Sequence, residues 1–271
     1  MKPLQVLVAT MHQKDLSLVE KMNIRCDAVI ANQADRNEIL VTDHVKMITT
    51  DTRGVGLNRN IALLASDAEI LLFADDDVTY NDDMPQAVVA AFRENPRADV
   101  MIFGIDITRN GQVTERRHLQ NKRLHVWNAM RFGTVRIAAR REAVLRANIT
   151  FNQNFGGGCP FSAGEDSLFL KACFDEGLRV YAHKYVLGSC AKDVSSWCVG
   201  YNEKYFYDKG VLMRRLFPGC AILMAVYFGV RFKRETNLKA AQRVKLMWQG
   251  VRGGKNMEAY RGATNEKDYH C

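Results

Sequence analysis

The chain has 271 residues, a net charge of +8 and 47% hydrophobic residues. This is the composition of a folded protein with a substantial core, and it excludes a disordered or fibrous chain. The seven cysteines are scattered without a CxxC pair, so neither a zinc ribbon nor a disulfide framework is indicated, and a reducing cytoplasm is expected.

The apolar residues 4–10 read as a first strand. They follow Met1-Lys2-Pro3 too closely for a signal-peptide pattern. A helix is predicted near 16–22, a second strand at 28–31 and a third at 45–49. Leu57, Ile61, Leu64 and Ala65 share a helical face, which predicts a helix over 57–65. A buried strand follows at 69–73, and then a helix at 85–94 ended by Asn95-Pro96. Strands alternating with helices predict an α/β fold, with a mostly parallel sheet and helices on both faces. Further strands are predicted at 99–107 and 135–138, with a polar stretch to His125 between them and a short helix at 141–147. A glycine-rich loop, 155–162, contains Gly156-Gly157-Gly158. An amphipathic helix over 165–176 pairs Leu168 with Ala172 and Phe169 with Cys173. Gly177 caps it, and a strand follows at 178–181.

The most informative feature is the run Asp75-Asp76-Asp77 at the end of the apolar strand. Packed carboxylates repel, and one stays protonated unless a cation sits among them. Hard oxygen ligands suit Mg²⁺ or Mn²⁺, which commonly bridge to substrate phosphates. In open α/β sheets, ligands bind beyond the carboxyl ends of the strands. The plainer alternative is a solvated acidic turn before a helix cap at Asn81, Asp82 or Asp83.

Gly54-Val55-Gly56-Leu57-Asn58-Arg59-Asn60 joins a strand to a helix. Glycines there let backbone N–H groups approach phosphate, and arginine suits a diphosphate. Arg59 stands where the dinucleotide fingerprint has glycine, and an ordinary turn with a surface arginine is the alternative. Gly164-Glu165-Asp166 opens a helix, where acids serve as dipole partners or, at ~3 Å from a hydroxyl, as a general base. Ser195-Ser196-Trp197 with Gly200-Tyr201 reads as either a sugar-stacking lid or a packing anchor. The histidines show no metal-ligand spacing.

The charge is uneven. From Lys204 onward there are 14 Lys or Arg against 5 Asp or Glu, a net of +9; the rest of the chain holds 24 against 25. Residues 216–230 carry no charge, contain Pro218 and have basic flanks. The segment is shorter than the ~20 residues of a spanning helix. Two readings remain: a segment lying on an anionic bilayer face, or a core helix packed on the body.

In order, these features are a strand ending at Thr10, the Arg-Asn turn at 54–60, the acidic triplet, the glycine-rich loop and Gly-Glu-Asp at 164–166. The succession resembles the family 2 glycosyltransferases of GT-A fold, above all the bacterial enzymes of capsular or exopolysaccharide synthesis. It covers residues 4–200, and the stretch from Ser195 to Gly210 is similar to the ending of many such enzymes. The resemblance implies a Rossmann-like mixed sheet, with a catalytic domain at 1–203 and a basic, partly apolar helical extension at 204–271. Carried over, Asp75 and Asp76 contact ribose and diphosphate. Asp77, with Asp75, holds the divalent metal, Mn²⁺ or Mg²⁺. Thr10 lies at the uracil and Gln33 lines the base pocket. Arg59 contacts the nucleotide, and Asp166 is the catalytic base with Glu165 its neighbour. Two departures stand out. Ala9-Thr10-Met11-His12 replaces the common Pro-x-Tyr-Asn, and Asp35 arrives late after the second strand.

The expected activity is inverting, metal-dependent transfer from a nucleotide sugar, chiefly a UDP-sugar, to a saccharide hydroxyl, as a hexosyl- or N-acetylhexosaminyltransferase. The expected acceptor is lipid-linked, at the inner face of the cell membrane, with the enzyme cytoplasmic or peripheral there. The rival reading is a non-catalytic nucleotide- or nucleic-acid-binding protein using its basic tail. Against it, the tail has no recognised nucleic-acid motif and the acids at 75–77 repel a polyanion. A nucleotidyltransferase is disfavoured because Thr10-Met11-His12-Gln13 lacks the glycines that would follow strand one.

Overall fold

The protein is described by a computed structural model that covers residues 2–116, 119–191 and 200–260. Its centre is one large mixed sheet. The strands are β1 (Leu4–Met11), β2 (Asp27–Gln33), β3 (Glu38–Val41), β4 (Val45–Thr50), β5 (Ile70–Asp75), β6 (Val78–Tyr80), β7 (Val100–Arg109), β8 (Gln112–Glu115), β9 (Lys122–Arg123), β10 (Ile137–Arg140) and β11 (Val180–Ala191). The helices are α1 (Ser17–Lys21), α2 (Val55–Ala65), α3 (Met84–Glu94), α4 (Val126–Ala129), α5 (Arg141–Arg146), α6 (Glu165–Asp175), α7 (Glu203–Leu216), α8 (Ala221–Arg231) and α9 (Ala240–Gly253).

The main path of the sheet runs β3-β4-β2-β1-β5-β10-β7-β11-β6. Strands β4, β2, β1 and β5 are parallel, whereas β10 lies antiparallel between β5 and β7. Successive strand residues point to opposite faces, so β1 and β5 feed two separate cores. Leu4, Val6, Val8, Leu72 and Ala74 pack with Leu18 of α1 and Val88 and Phe92 of α3. Leu7, Leu71 and Phe73 pack on the other face with Ala62 and Leu63 of α2 and Phe169 and Leu170 of α6. Both faces are covered, and for that reason β5 reads as an uninterrupted apolar run.

Several details differ from the sequence expectation. The stretch at 135–138 is not all strand: Thr134–Arg136 is a 3₁₀ turn and β10 begins at Ile137. The cause is Arg136, which is buried and donates from Nη2 to the Ile105 carbonyl at 2.9 Å. The polar stretch before His125 holds β8 and β9, short and exposed strands with no apolar alternation to betray them. The strand expected at 178–181 begins at Val180 and runs to Ala191, bending through two irregularities of register. Gly177 does end α6, with positive φ of 74° and Leu178 N–H bonded to the Cys173 carbonyl at 2.8 Å.

The segment at 216–230 is broken rather than continuous. Leu216 closes α7, a turn through Pro218 follows, and α8 starts at Ala221. Helices α7, α8 and α9 form a third core with Phe155 and Phe161 of the glycine-rich loop. Helices α7 and α9 pack backbone to backbone. A Cβ at Gly210 would lie 2.0 Å from the Met247 carbonyl oxygen, and one at Gly250 would lie 2.0 Å from that of Tyr207.

Candidate active site

The parallel strands β2, β1 and β5 end side by side. Register pairs Thr10 with Asn32, Met11 with Gln33, and Ala9 with Asp75. The carboxyl ends therefore gather Thr10, Gln33, Asp75 and Asp76 at one edge, where ligands of open α/β sheets bind. Asn58 on α2 helps to hold the spacing, since its amide donates to the carbonyls of Thr10 (3.1 Å) and Ala31 (2.9 Å). Gln33 Nε2 donates to the Gly54 carbonyl at 3.2 Å, tying β2 to the start of α2. Thr10 Oγ1 donates to Asp76 at 2.5 Å.

Arg59 is the hub of the site. Its side chain is 5% exposed, with Nη2 2.8 Å from Asp75 and Nη1 2.8 Å from Glu165. One guanidinium thus joins the end of β5 to the N-terminus of α6, residues separated by about a third of the chain. A planar fork with fixed donors suits this bridging, and an ammonium does not. Burial alone would lower the Arg59 pKa, but the two carboxylates outweigh it and hold the cation above its ordinary range. The guanidinium also sits 5.4 Å over the Phe151 ring, part of an aromatic cluster with Phe73 and Phe169. The neighbouring Asn60 locks the Phe151 backbone by two hydrogen bonds, donating from Nδ2 to its carbonyl at 2.9 Å and accepting at Oδ1 from its N–H at 2.7 Å.

Glu165 Oε2 also accepts from Gly164 N–H at 3.1 Å. Gly156 leaves room for it. Its φ is +105°, and a Cβ there would lie 2.8 Å from Glu165 Oε2 and 2.5 Å from Val55. The glycine-rich loop is thus shaped around Glu165.

Asp166 lies half-buried in the first turn of α6. Its Oδ1 accepts from Ser167 N–H at 2.6 Å, and among the described residues Oδ2 accepts no hydrogen bond. Burial first, and then the Glu165 charge, push its carboxyl up to about 6; Ser167, Arg59 and Lys209 oppose them. A base works only as the carboxylate. Because the pKa is raised, protonation of Asp166 sets in below about pH 6; with Asp166 as the proposed base, kcat/KM is expected to fall roughly tenfold per pH unit beneath that point. A pH–rate profile that stays flat from pH 7 to 4.5 would contradict this assignment.

Asp77 is not among the carboxylates that pair with Arg59. Burial and repulsion from Asp75 and Asp76 push its carboxyl up to about 6, against a hydrogen bond from Cys190 Sγ at 3.3 Å. A cation beside Asp77 would remove that penalty. Among the described residues no three His, Cys, Asp or Glu side chains gather as a ready ligand set. Asp75 and Asp77 are hard oxygen donors, a chemistry compatible with a divalent ion held by one or two carboxylates that takes the rest of its shell from substrate and water. Of the plainer expectation, the helix cap is met in position: β6 follows the triplet directly, and Asp83 stands at the N-cap of α3, without a side-chain capping hydrogen bond.

Two residues at the site escaped sequence reasoning. Asp208 of α7 is 3% exposed. It accepts from Ser162 N–H at 2.9 Å, from Ser162 Oγ, and from Lys204 Nζ at 2.6 Å, clamping the loop that leads into α6. Lys209 lies near Asp166. Its pKa is lowered by burial, raised by Asp166 and lowered again by Arg234. The signal was present in the run Asp208-Lys209-Gly210, but a basic tail read by composition hides which of its charges turn inward. Of the proposed lid, Ser195, Ser196 and Trp197 lie outside the described residues. Tyr201 meets Phe232 and Arg234 rather than the acidic cluster.

A parallel sheet edge that gathers an acidic cluster, a buried arginine and a half-buried carboxylate is where α/β enzymes place their sites. The model of glycosyl transferase family 2 matches residues 25–168, more than half of the chain, and the protein belongs to that family. Among solved structures it is similar to S. aureus TarS 1–349 in complex with UDP-GlcNAc, with 16% identity and a TM-score of 0.59 over 92% of this chain and 71% of that one. The complex of TarS 1–349 with UDP is similar at 17% identity and a TM-score of 0.56, over 94% and 72%. At such identity the likeness establishes a shared fold. No curated protein matches the sequence.

Proposed function

We propose that the protein is an inverting glycosyltransferase that moves a sugar from a UDP-sugar to a hydroxyl of a lipid-linked saccharide in bacterial surface polysaccharide synthesis. The observation that carries it is the Arg59 bridge, which places the Asp75–Asp77 cluster beside Glu165-Asp166 at one sheet edge. The related TarS was captured with UDP and with UDP-GlcNAc, which supports a UDP donor. The catalytic unit is read as residues 1–203, with 204–271 as its extension.

In this reading Thr10 and Gln33 border the base, and Asp75 and Asp76 meet ribose and diphosphate. Asp77, with Asp75, would hold Mn²⁺ or Mg²⁺, which when bound stabilises charge on the leaving diphosphate. The acceptor oxygen attacks the anomeric carbon as the bond from that carbon to the diphosphate oxygen breaks. Asp166 takes the hydroxyl proton, and the nucleoside diphosphate departs. One displacement inverts the anomeric centre, and a single nearby carboxylate suffices.

The test is thermal stability with UDP, GDP, CDP or dTDP, each with and without Mn²⁺. A ligand at 100 times its Kd adds ~2.7 kcal/mol, a shift of a few degrees. Stabilisation by UDP that requires Mn²⁺ is the expected result. Silence with all four nucleotides would overturn the donor reading.

A further inference from the structure

Helix α8 is turned inside out relative to a core helix. It buries the small residues Ala221, Ala225 and Gly229, spaced four apart, and presents its large apolar residues to solvent. Leu223 is 72% exposed, Val230 55%, Ile222 53% and Tyr227 51%. The inward choice is built into the packing. A Cβ at Gly229 would lie 2.8 Å from the Val244 side chain, so α8 rests on α9 through its small face. Between α8 and α9 runs an apolar groove of about 450 Å³ lined by Ile222, Val226, Val230, Val244 and Trp248. A contiguous apolar face of this kind marks an interaction surface.

The charges around it name the partner. Between Phe217 and Lys255 the chain has eight Lys or Arg against one Asp or Glu. Arg231, Lys233, Lys239, Lys245 and Arg252 are all exposed. Trp248 and Tyr227 stand at the margin with Arg252 and Arg231 over their rings, at 4.7 Å and 5.5 Å. Apolar side chains rimmed by aromatics and cations suit an anionic bilayer interface. A second copy of this chain would bring the same positive rim and be repelled. No helix among the described residues is long and apolar enough to cross a membrane. The eleven residues of α8 reach ~16 Å, against ~30 Å of hydrocarbon.

We propose that the outer face of α8, with the α8–α9 groove and its basic rim, docks the protein in the plane of an anionic leaflet. The face also adjoins the site. Lys209 Nζ lies 5.7 Å from the Phe228 ring of α8, and the same ammonium lies near Asp166. An acceptor whose lipid stays in the bilayer would then reach the base from the membrane side; only this purpose rests on the function proposed above.

The experiment is co-sedimentation of the full chain with vesicles of phosphatidylglycerol and phosphatidylethanolamine, and with phosphatidylcholine vesicles, without donor or acceptor. Expected are binding to the anionic vesicles, weakening with salt, and a loss of roughly tenfold or more in Leu223→Asp/Val226→Asp. Lys233→Glu/Lys245→Glu, which leaves the apolar face intact, should lose a similar factor on anionic vesicles only. UDP-induced thermal stabilisation, measured on every variant, reports the fold and the donor site separately. The proposal is overturned by wild type remaining in the supernatant with anionic vesicles. Equal binding to phosphatidylcholine overturns it too, as does retained binding by both variants, or a dimer in solution that Leu223→Asp/Val226→Asp dissolves.

Discussion

Asp166→Asn is expected to reduce glycosyl transfer by about 10²- to 10⁴-fold, while nucleoside diphosphate binding stays within a factor of two or so. The amide keeps the shape of the carboxylate and still accepts from the Ser167 N–H that holds Oδ1. It has no lone pair basic enough for the acceptor proton. The nucleotide contacts proposed at Thr10, Gln33 and Asp75 are carried by the strands β1, β2 and β5 and not by α6. Single-turnover transfer and nucleotide titration separate the two effects. Wild-type turnover in the variant would remove Asp166 as the base and leave Glu165 as the candidate. The same exchange at Glu165 tests something else, because Glu165 is already paired with Arg59 at 2.8 Å.

Arg59→Met should cost about 3–5 kcal/mol of stability and most of the nucleotide affinity. Removing one member of a buried ionic group leaves the others uncompensated, and here two carboxylates lose the same partner. Glu165 is 13% exposed in its side chain, so its charge would remain poorly solvated. At about 2–4 °C per kcal/mol, the thermal midpoint should drop by roughly 10 °C. Arg59→Lys should recover only part of it, since a single ammonium cannot meet Asp75 and Glu165 together. Combining Arg59→Met with Glu165→Gln should cost less than the sum of the two alone, because the second change relieves what the first leaves unpaired. Additive losses, or a midpoint within a degree or two of wild type, would show that the bridge does not hold the site together.

Much of the architecture was readable from local pattern. The alternation of apolar strands with helices, the burial of β5 on both faces and the acidic end of that strand all express side-chain periodicity and charge within a few residues. The strands that escaped are the exposed pieces β8 and β9, which carry no apolar period, and the length of β11, whose register breaks interrupt one. Arg136 shows the limit from another side: a turn stands where a strand pattern is written, because a guanidinium found a buried carbonyl on β7.

For the site, the residue types at 75–77, at 59 and at 165–166 marked candidate positions, each with a plainer alternative that local sequence did not remove. That Arg59 would span from Asp75 to Glu165 was not written in either motif, because the bridge exists only once β5, α2 and α6 converge. The same holds for Asp208 and Lys209, whose partners Ser162 and Asp166 come near only once α7 lies against the glycine-rich loop and α6. Residues 216–230 are apolar by sequence alone, and either of two environments would satisfy them. Tertiary packing decided between their faces: the small residues of α8 allow the closer approach to α9, so its large apolar side chains are left turned outward.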